Sequence, residues 1–80
     1  MTVNSIALRP MIREIMKAAP SQRWSEEALV AVMNTRIPGV RAVDVLDALI
    51  WNLGKNYVES THNQEMECDV WFLTATGKKA

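Results

Sequence analysis

The sequence is poor in the residue types that usually announce a chemistry. One cysteine, Cys68, in 80 residues excludes an internal disulfide, and this suits a reducing compartment, so a cytoplasmic location is expected. One histidine, His62, leaves little with which to activate a nucleophile, and no enzymatic activity is expected. His62 and Cys68 lie six residues apart near Glu65, Glu67 and Asp69. Structural zinc takes four Cys or His ligands in a recognisable spacing, so this stretch reads as a solvated acidic hairpin, with no metal and no cofactor. Charge of one sign is also missing. Nine basic and nine acidic residues cancel, and the whole-protein positive field typical of nucleic-acid binders is absent. The longest unbroken apolar run, residues 28–33, is far short of the about 18 residues of a membrane span. No charged start followed by an apolar core and a cleavage site is visible, so no export signal is expected. Three glycines and three prolines leave no low-complexity stretch, and there is no internal repeat.

What is present is an ordinary globular composition, 49% hydrophobic and 22% charged. A chain of this length forms one domain, residues 1–80, with a loose arm at 1–5 and a frayed tail at 78–80. Such a domain is stable by only about 4–12 kcal/mol, so nearly every large apolar side chain must serve one core. Leu8, Met11, Ile12, Ile15, Met16 and Ala19 recur at helical spacing and predict a first helix over residues 9–18. Pro10 fits its first turn and Pro20 stops it. Ser25 caps a second helix over 26–34, with Glu26 and Glu27 at its positive end and Trp24 placed to staple onto Leu29. Asn34 suits its end, and Pro38 and Gly39 punctuate a turn. A third helix runs from Arg41 to Leu53 with Val45, Leu46, Leu49, Ile50 and Leu53 as its apolar side, and Gly54 or Asn56 ends it. The period then changes to that of strands. Residues 57–60 and 68–74 predict a hairpin around a polar tip at 61–67. The five methionines fall mostly at core spacing and read as packing.

The order of three helices and a hairpin, together with Leu49–Ile50–Trp51–Asn52–Leu53–Gly54–Lys55–Asn56–Tyr57–Val58 and Trp71–Phe72–Leu73–Thr74–Ala75–Thr76–Gly77, resembles the winged helix-turn-helix family. The second stretch is similar to the aromatic-x-Leu-Thr-x-x-Gly strand end of many bacterial winged-helix regulators. A narrower resemblance, carried by the first helix, Ala19–Pro20 and Trp51, is to small winged-helix proteins of Mu-like phages and prophages. The resemblance spans residues 6–77. It implies a mainly α fold with a β-hairpin (α+β), three helices followed by a two-stranded wing. Asn52 departs from it, standing where a core leucine is common.

Such a fold implies binding to double-stranded DNA and a part in transcription regulation, with the third helix in the major groove. The outward candidates are Arg36, Arg41, Ala42, Asp44 and Ala48, with Lys55 and, at the wing tip, His62, Asn63 and Gln64. The charge distribution opposes this. Residues 40–70 hold Arg41 and Lys55 against Asp44, Asp47, Glu59, Glu65, Glu67 and Asp69, whereas affinity for DNA depends on phosphate neutralisation. The alternative is a protein-interaction module, used for docking or for a homodimer, since fold does not fix function. Trp51, Trp71 and Phe72 are its candidate contacts. Trp71 and Phe72 are adjacent in a strand and point to opposite faces, so one of them lies outside the core. No small-molecule substrate is evident.

Overall fold

The computed structural model describes residues 5–80. The chain is α+β. In order it forms α1 (Ser5–Ala18), β1 (Trp24–Ser25), α2 (Glu26–Arg36), α3 (Ala42–Gly54), β2 (Val58–Asn63), β3 (Cys68–Leu73) and α4 (Ala75–Lys79). Among the described residues there are thus four helices and a three-stranded antiparallel sheet of order β1-β3-β2, one helix and one strand more than the periodicity predicts. The arm expected at residues 1–5 lies outside the described residues except for Ser5, which opens α1. Pro10 therefore sits beyond the first turn of α1, where it has no N–H to give to the helix ladder.

Local chemistry sets most boundaries. The Ser25 side chain accepts from the Ala28 N–H at 3.1 Å, and Glu26 and Glu27 occupy the first turn of α2, as the capping pattern requires. The helix continues to Arg36 because Asn34 does not end it. The Asn34 side-chain oxygen instead accepts from the Gly39 N–H at 2.9 Å, fastening the turn in which Gly39 has φ +87°. α3 ends at Gly54 with Lys55 as its cap, and Asn56 then turns the chain with a φ of 62°, the left-handed conformation that asparagine tolerates. The hairpin is longer than its polarity suggests. β2 extends through Asn63, with Thr61 paired to Val70 and Asn63 to Cys68, and the tip shrinks to residues 64–67. Asn63 makes the tight turn by accepting from the N–H groups of Glu65 and Met66 at 3.0 and 3.1 Å.

The core is shared by all three of the long helices and the sheet. Leu8, Ile12, Ile15 and Met16 of α1 meet Leu29 and Met33 of α2, Val45, Ala48 and Leu49 of α3, and Trp24, Val58, Trp71 and Leu73 of the sheet. Trp24 pairs with Trp71 across β1 and β3, and both indoles are buried.

The tail expected to fray at residues 78–80 instead follows a capped turn. Thr74 Oγ1 accepts from the Gly77 N–H at 2.9 Å and donates to the Tyr57 carbonyl at 3.2 Å, while the Thr74 N–H donates to the same carbonyl at 3.0 Å. Gly77 is buried there. A Cβ on it would collide with the Tyr57 carbonyl and lie 2.9 Å from Leu73 Cδ2. Because backbone cannot swing aside like a flexible side chain, Gly77→Ala should cost about 1–3 kcal/mol, read as a lower midpoint in urea unfolding with an unchanged slope.

Candidate functional site

The sequence-predicted site residues do not gather at one place. Asp44 and Ala48, expected on the outward face of α3, are buried, and both leave the set of groups able to meet DNA. The buried side of α3 is Asp44, Val45, Ala48, Leu49 and Asn52. Ile50 and Leu53, expected in the core, face outward. The helix is rotated from the expected phase because the two small or polar residues that fit closely against α1, Ala48 and Asn52, lie on the same side as Val45 and Leu49.

Asn52 fixes this rotation. Its amide donates to the Ala48 carbonyl at 2.8 Å and across to the Arg9 carbonyl at 3.2 Å. Its side-chain oxygen accepts from Arg13 Nη1 at 2.9 Å. A fully buried amide with this many partners costs little to bury, and it joins α1 to α3.

At the other end of the helix, Arg41 occupies the cap position without capping through its side chain. Its guanidinium grips Asp44 through Nε–Oδ2 at 3.1 Å and Nη2–Oδ1 at 3.3 Å. That hydrogen bond, against the opposing cost of burial, holds the Asp44 carboxyl below the ordinary aspartate range. Arg41, expected among the outward contacts to DNA, is therefore engaged with a residue of its own helix.

The remaining candidates are scattered. Arg36, Ala42 and Lys55 are exposed. On the hairpin, His62 Nδ1 lies 3.2 Å from Asp69 Oδ1, Asn63 is occupied by its turn, and Gln64 is exposed at the tip. Trp71 is buried and Phe72, pointing the other way, is covered by the Arg23 guanidinium at 4.1 Å from its ring centre. Trp51 is half-buried beneath Arg9 and Lys55, whose charged ends lie 4.7 and 5.6 Å from its ring centre.

Two surfaces stand out instead. The first is the outward side of α3, where Val43, Ile50 and Leu53 are 51%, 53% and 41% exposed and Leu46 is partly so. No Lys or Arg lies between Ala42 and Gly54, and Asp47 is the exposed charge. The second is an open cleft of about 590 Å³ lined by Ser25, Glu26, Glu27, Ala42, Met66, Glu67, Cys68 and Asp69. Four carboxylates face it, yet among the described residues no three metal-ligating side chains converge. Among those residues, too, no helix is long and apolar enough to cross a membrane. Comparison with family models, with curated proteins and with solved structures gives no match.

Two measurements test the geometry. Asn52→Ala should cost about 1–3 kcal/mol, the penalty for unpairing buried polar groups, beyond the loss caused by Asp47→Ala on the exposed side. The depressed Asp44 value makes its contribution present above about pH 4, the unfolded aspartate range. It is lost as pH falls through the lower folded value, so Asp44→Asn should flatten part of the acid limb of thermal unfolding.

Proposed function

We propose that this chain is a small protein-interaction domain of winged-helix form, which pairs with a second copy of itself through the outward side of α3. The observation that carries this reading is the stripe Val43, Leu46, Ile50 and Leu53. Its spacing of three, four and three residues is that of a helix–helix seam, and it reads the same in both directions. Antiparallel pairing therefore sets Val43 opposite Leu53 and Leu46 opposite Ile50, twice over, as a two-fold interface requires. Charge supports the same occupant. α3 begins beside the acidic cleft, which Ala42 lines, and ends at Lys55 and the arginine-covered Trp51. Reversing one helix against the other brings each acidic end to a basic end. The element order, with a hairpin after α3 and β3 central in the sheet, is compatible with the winged helix.

The second reading, a DNA-binding transcription factor of phage or prophage kind, is favoured by that element order and by the exposed Arg36 and Lys55. An apolar, acid-bearing α3 offers few phosphate contacts to sustain it.

Sedimentation across micromolar to millimolar protein separates the two. Four side chains on a 13-residue helix make a small interface beside the roughly 800 Å² per partner of a standard one, so a dimer that dissociates at micromolar concentrations is expected. Ile50→Asp should abolish it while the circular dichroism is unchanged. A wild-type protein that stays monomeric throughout overturns self-pairing. Saturable binding of labelled duplex at low salt, lost on Arg41→Ala and Arg36→Ala, favours the second reading.

A further inference from the structure

We propose that Arg9, Arg13 and Lys55, set around the rings of Trp51 and Tyr57, form a binding site for a phosphate group. Arg9 and Arg13 are one turn apart on α1 and share a face. The Arg9 guanidinium lies 4.7 Å from the Trp51 ring centre and that of Arg13 lies 4.9 Å from the Tyr57 ring centre. The two rings are themselves 6.1 Å apart. Lys55 Nζ, 5.6 Å from the Trp51 centre, adds a third cation from the end of α3.

Arg9 and Lys55 share one ring and Arg13 lies over the neighbouring one, an arrangement of like charges that repel; among the described residues Arg41 is the one Lys or Arg held by a side-chain carboxylate. Here, among the described residues, no carboxylate comes within ion-pair distance of any of the three. The Nε atoms of Arg9 and Arg13 are shielded from water and have no acceptor. The aromatic faces hold the cations in place and offset part of their repulsion. With Nε of both shielded and Arg13 Nη1 already donating to Asn52 Oδ1 and the Arg9 carbonyl, the two Nη groups of Arg9 and Nη2 of Arg13 are left to meet phosphate oxygens in the plane of each guanidinium. Arg13 is further fixed by Asn52 Oδ1 and the Arg9 carbonyl, which orients it before any ligand arrives.

A phosphate monoester carries about −1.5 to −2 charges and three acceptor oxygens at neutral pH. It matches three cations, whereas a carboxylate leaves two of them uncompensated. The phosphate can be free or part of a nucleic-acid backbone, and the chemistry at these side chains is the same. The site shares Arg9, Lys55 and Trp51 with the basic end of α3 invoked for pairing, so phosphate competes there with the acidic end of a second copy.

Nuclear magnetic resonance of the ¹⁵N-labelled chain tests this directly. Sodium phosphate is titrated against sodium chloride at matched ionic strength. The Trp51 indole N–H and the Arg9 and Arg13 Nε–H signals should shift and saturate with phosphate alone, while the buried Trp24 and Trp71 indoles stay still. Arg9→Gln and Lys55→Gln should each weaken the binding by about tenfold, the scale of one charge-assisted hydrogen bond. Arg23→Gln, which removes the cation stacked on Phe72, should leave it unchanged. A short duplex that moves the same signals at lower concentration assigns the site to a nucleic-acid backbone, and a duplex that leaves them alone assigns it to free phosphate esters. Shifts that are linear in phosphate, equal in chloride, or retained in Arg9→Gln and Lys55→Gln overturn the proposal.

Discussion

Asn52 is the constraint on which the arrangement of the molecule depends. Its side chain holds the Ala48 and Arg9 carbonyls and receives Arg13, while its own carbonyl accepts the Tyr57 N–H at 2.9 Å. Apolar contacts between α1 and α3 would tolerate a small slide or rotation. Four hydrogen bonds on one residue with no exposed surface do not, because each displaced group would be left unpaired away from water. One amide thus sets the rotation of α3, the position of Arg13 and the point where the chain leaves the helix for the sheet. The exposed stripe and the cation cluster are both consequences of that rotation.

Much of this was legible from residues alone. The Ser25 cap, the end of α3 within Gly54–Asn56, the hairpin and the opposite facing of Trp71 and Phe72 follow from local chemistry that tertiary contacts do not override. The phase of α3 was not legible. Val43, Val45, Leu46, Leu49, Ile50 and Leu53 cover so much of the helix that apolarity selects no unique side. A set at the right spacing, Val45, Ala48, Leu49 and Asn52, was there to be read, but it includes an amide that looks out of place until Arg9 and Arg13 arrive from α1. β1 escaped because two residues have no period, and its Ser25 already had a purpose as a cap. α4 escaped because its cap, Thr74, acts through contacts with residues 17 and 18 positions earlier.

The site candidates divided along the same line. Arg41 and Asp44 are three apart on a helix start, and their mutual attachment is local. Which of Asp44, Asp47, Ala48 and Ile50 faces outward is a tertiary matter. The cation cluster was invisible because it is assembled from two helices and the following turn, Arg9 and Arg13 from one end of the sequence and Trp51, Lys55 and Tyr57 from beyond its middle. Only the fold makes neighbours of them.

The opposed ends of α3 give the molecule a property that its net charge of zero conceals. Four carboxylates outnumber Arg41 where the helix begins, and cations gather where it stops, separated by about 20 Å at the helical rise. A neutral body built this way is an electric dipole: a uniform field applies a torque to it but no net pull. Beside any charged macromolecule the protein would be turned before it is drawn in, so its charges govern the angle of approach more than the strength of attachment.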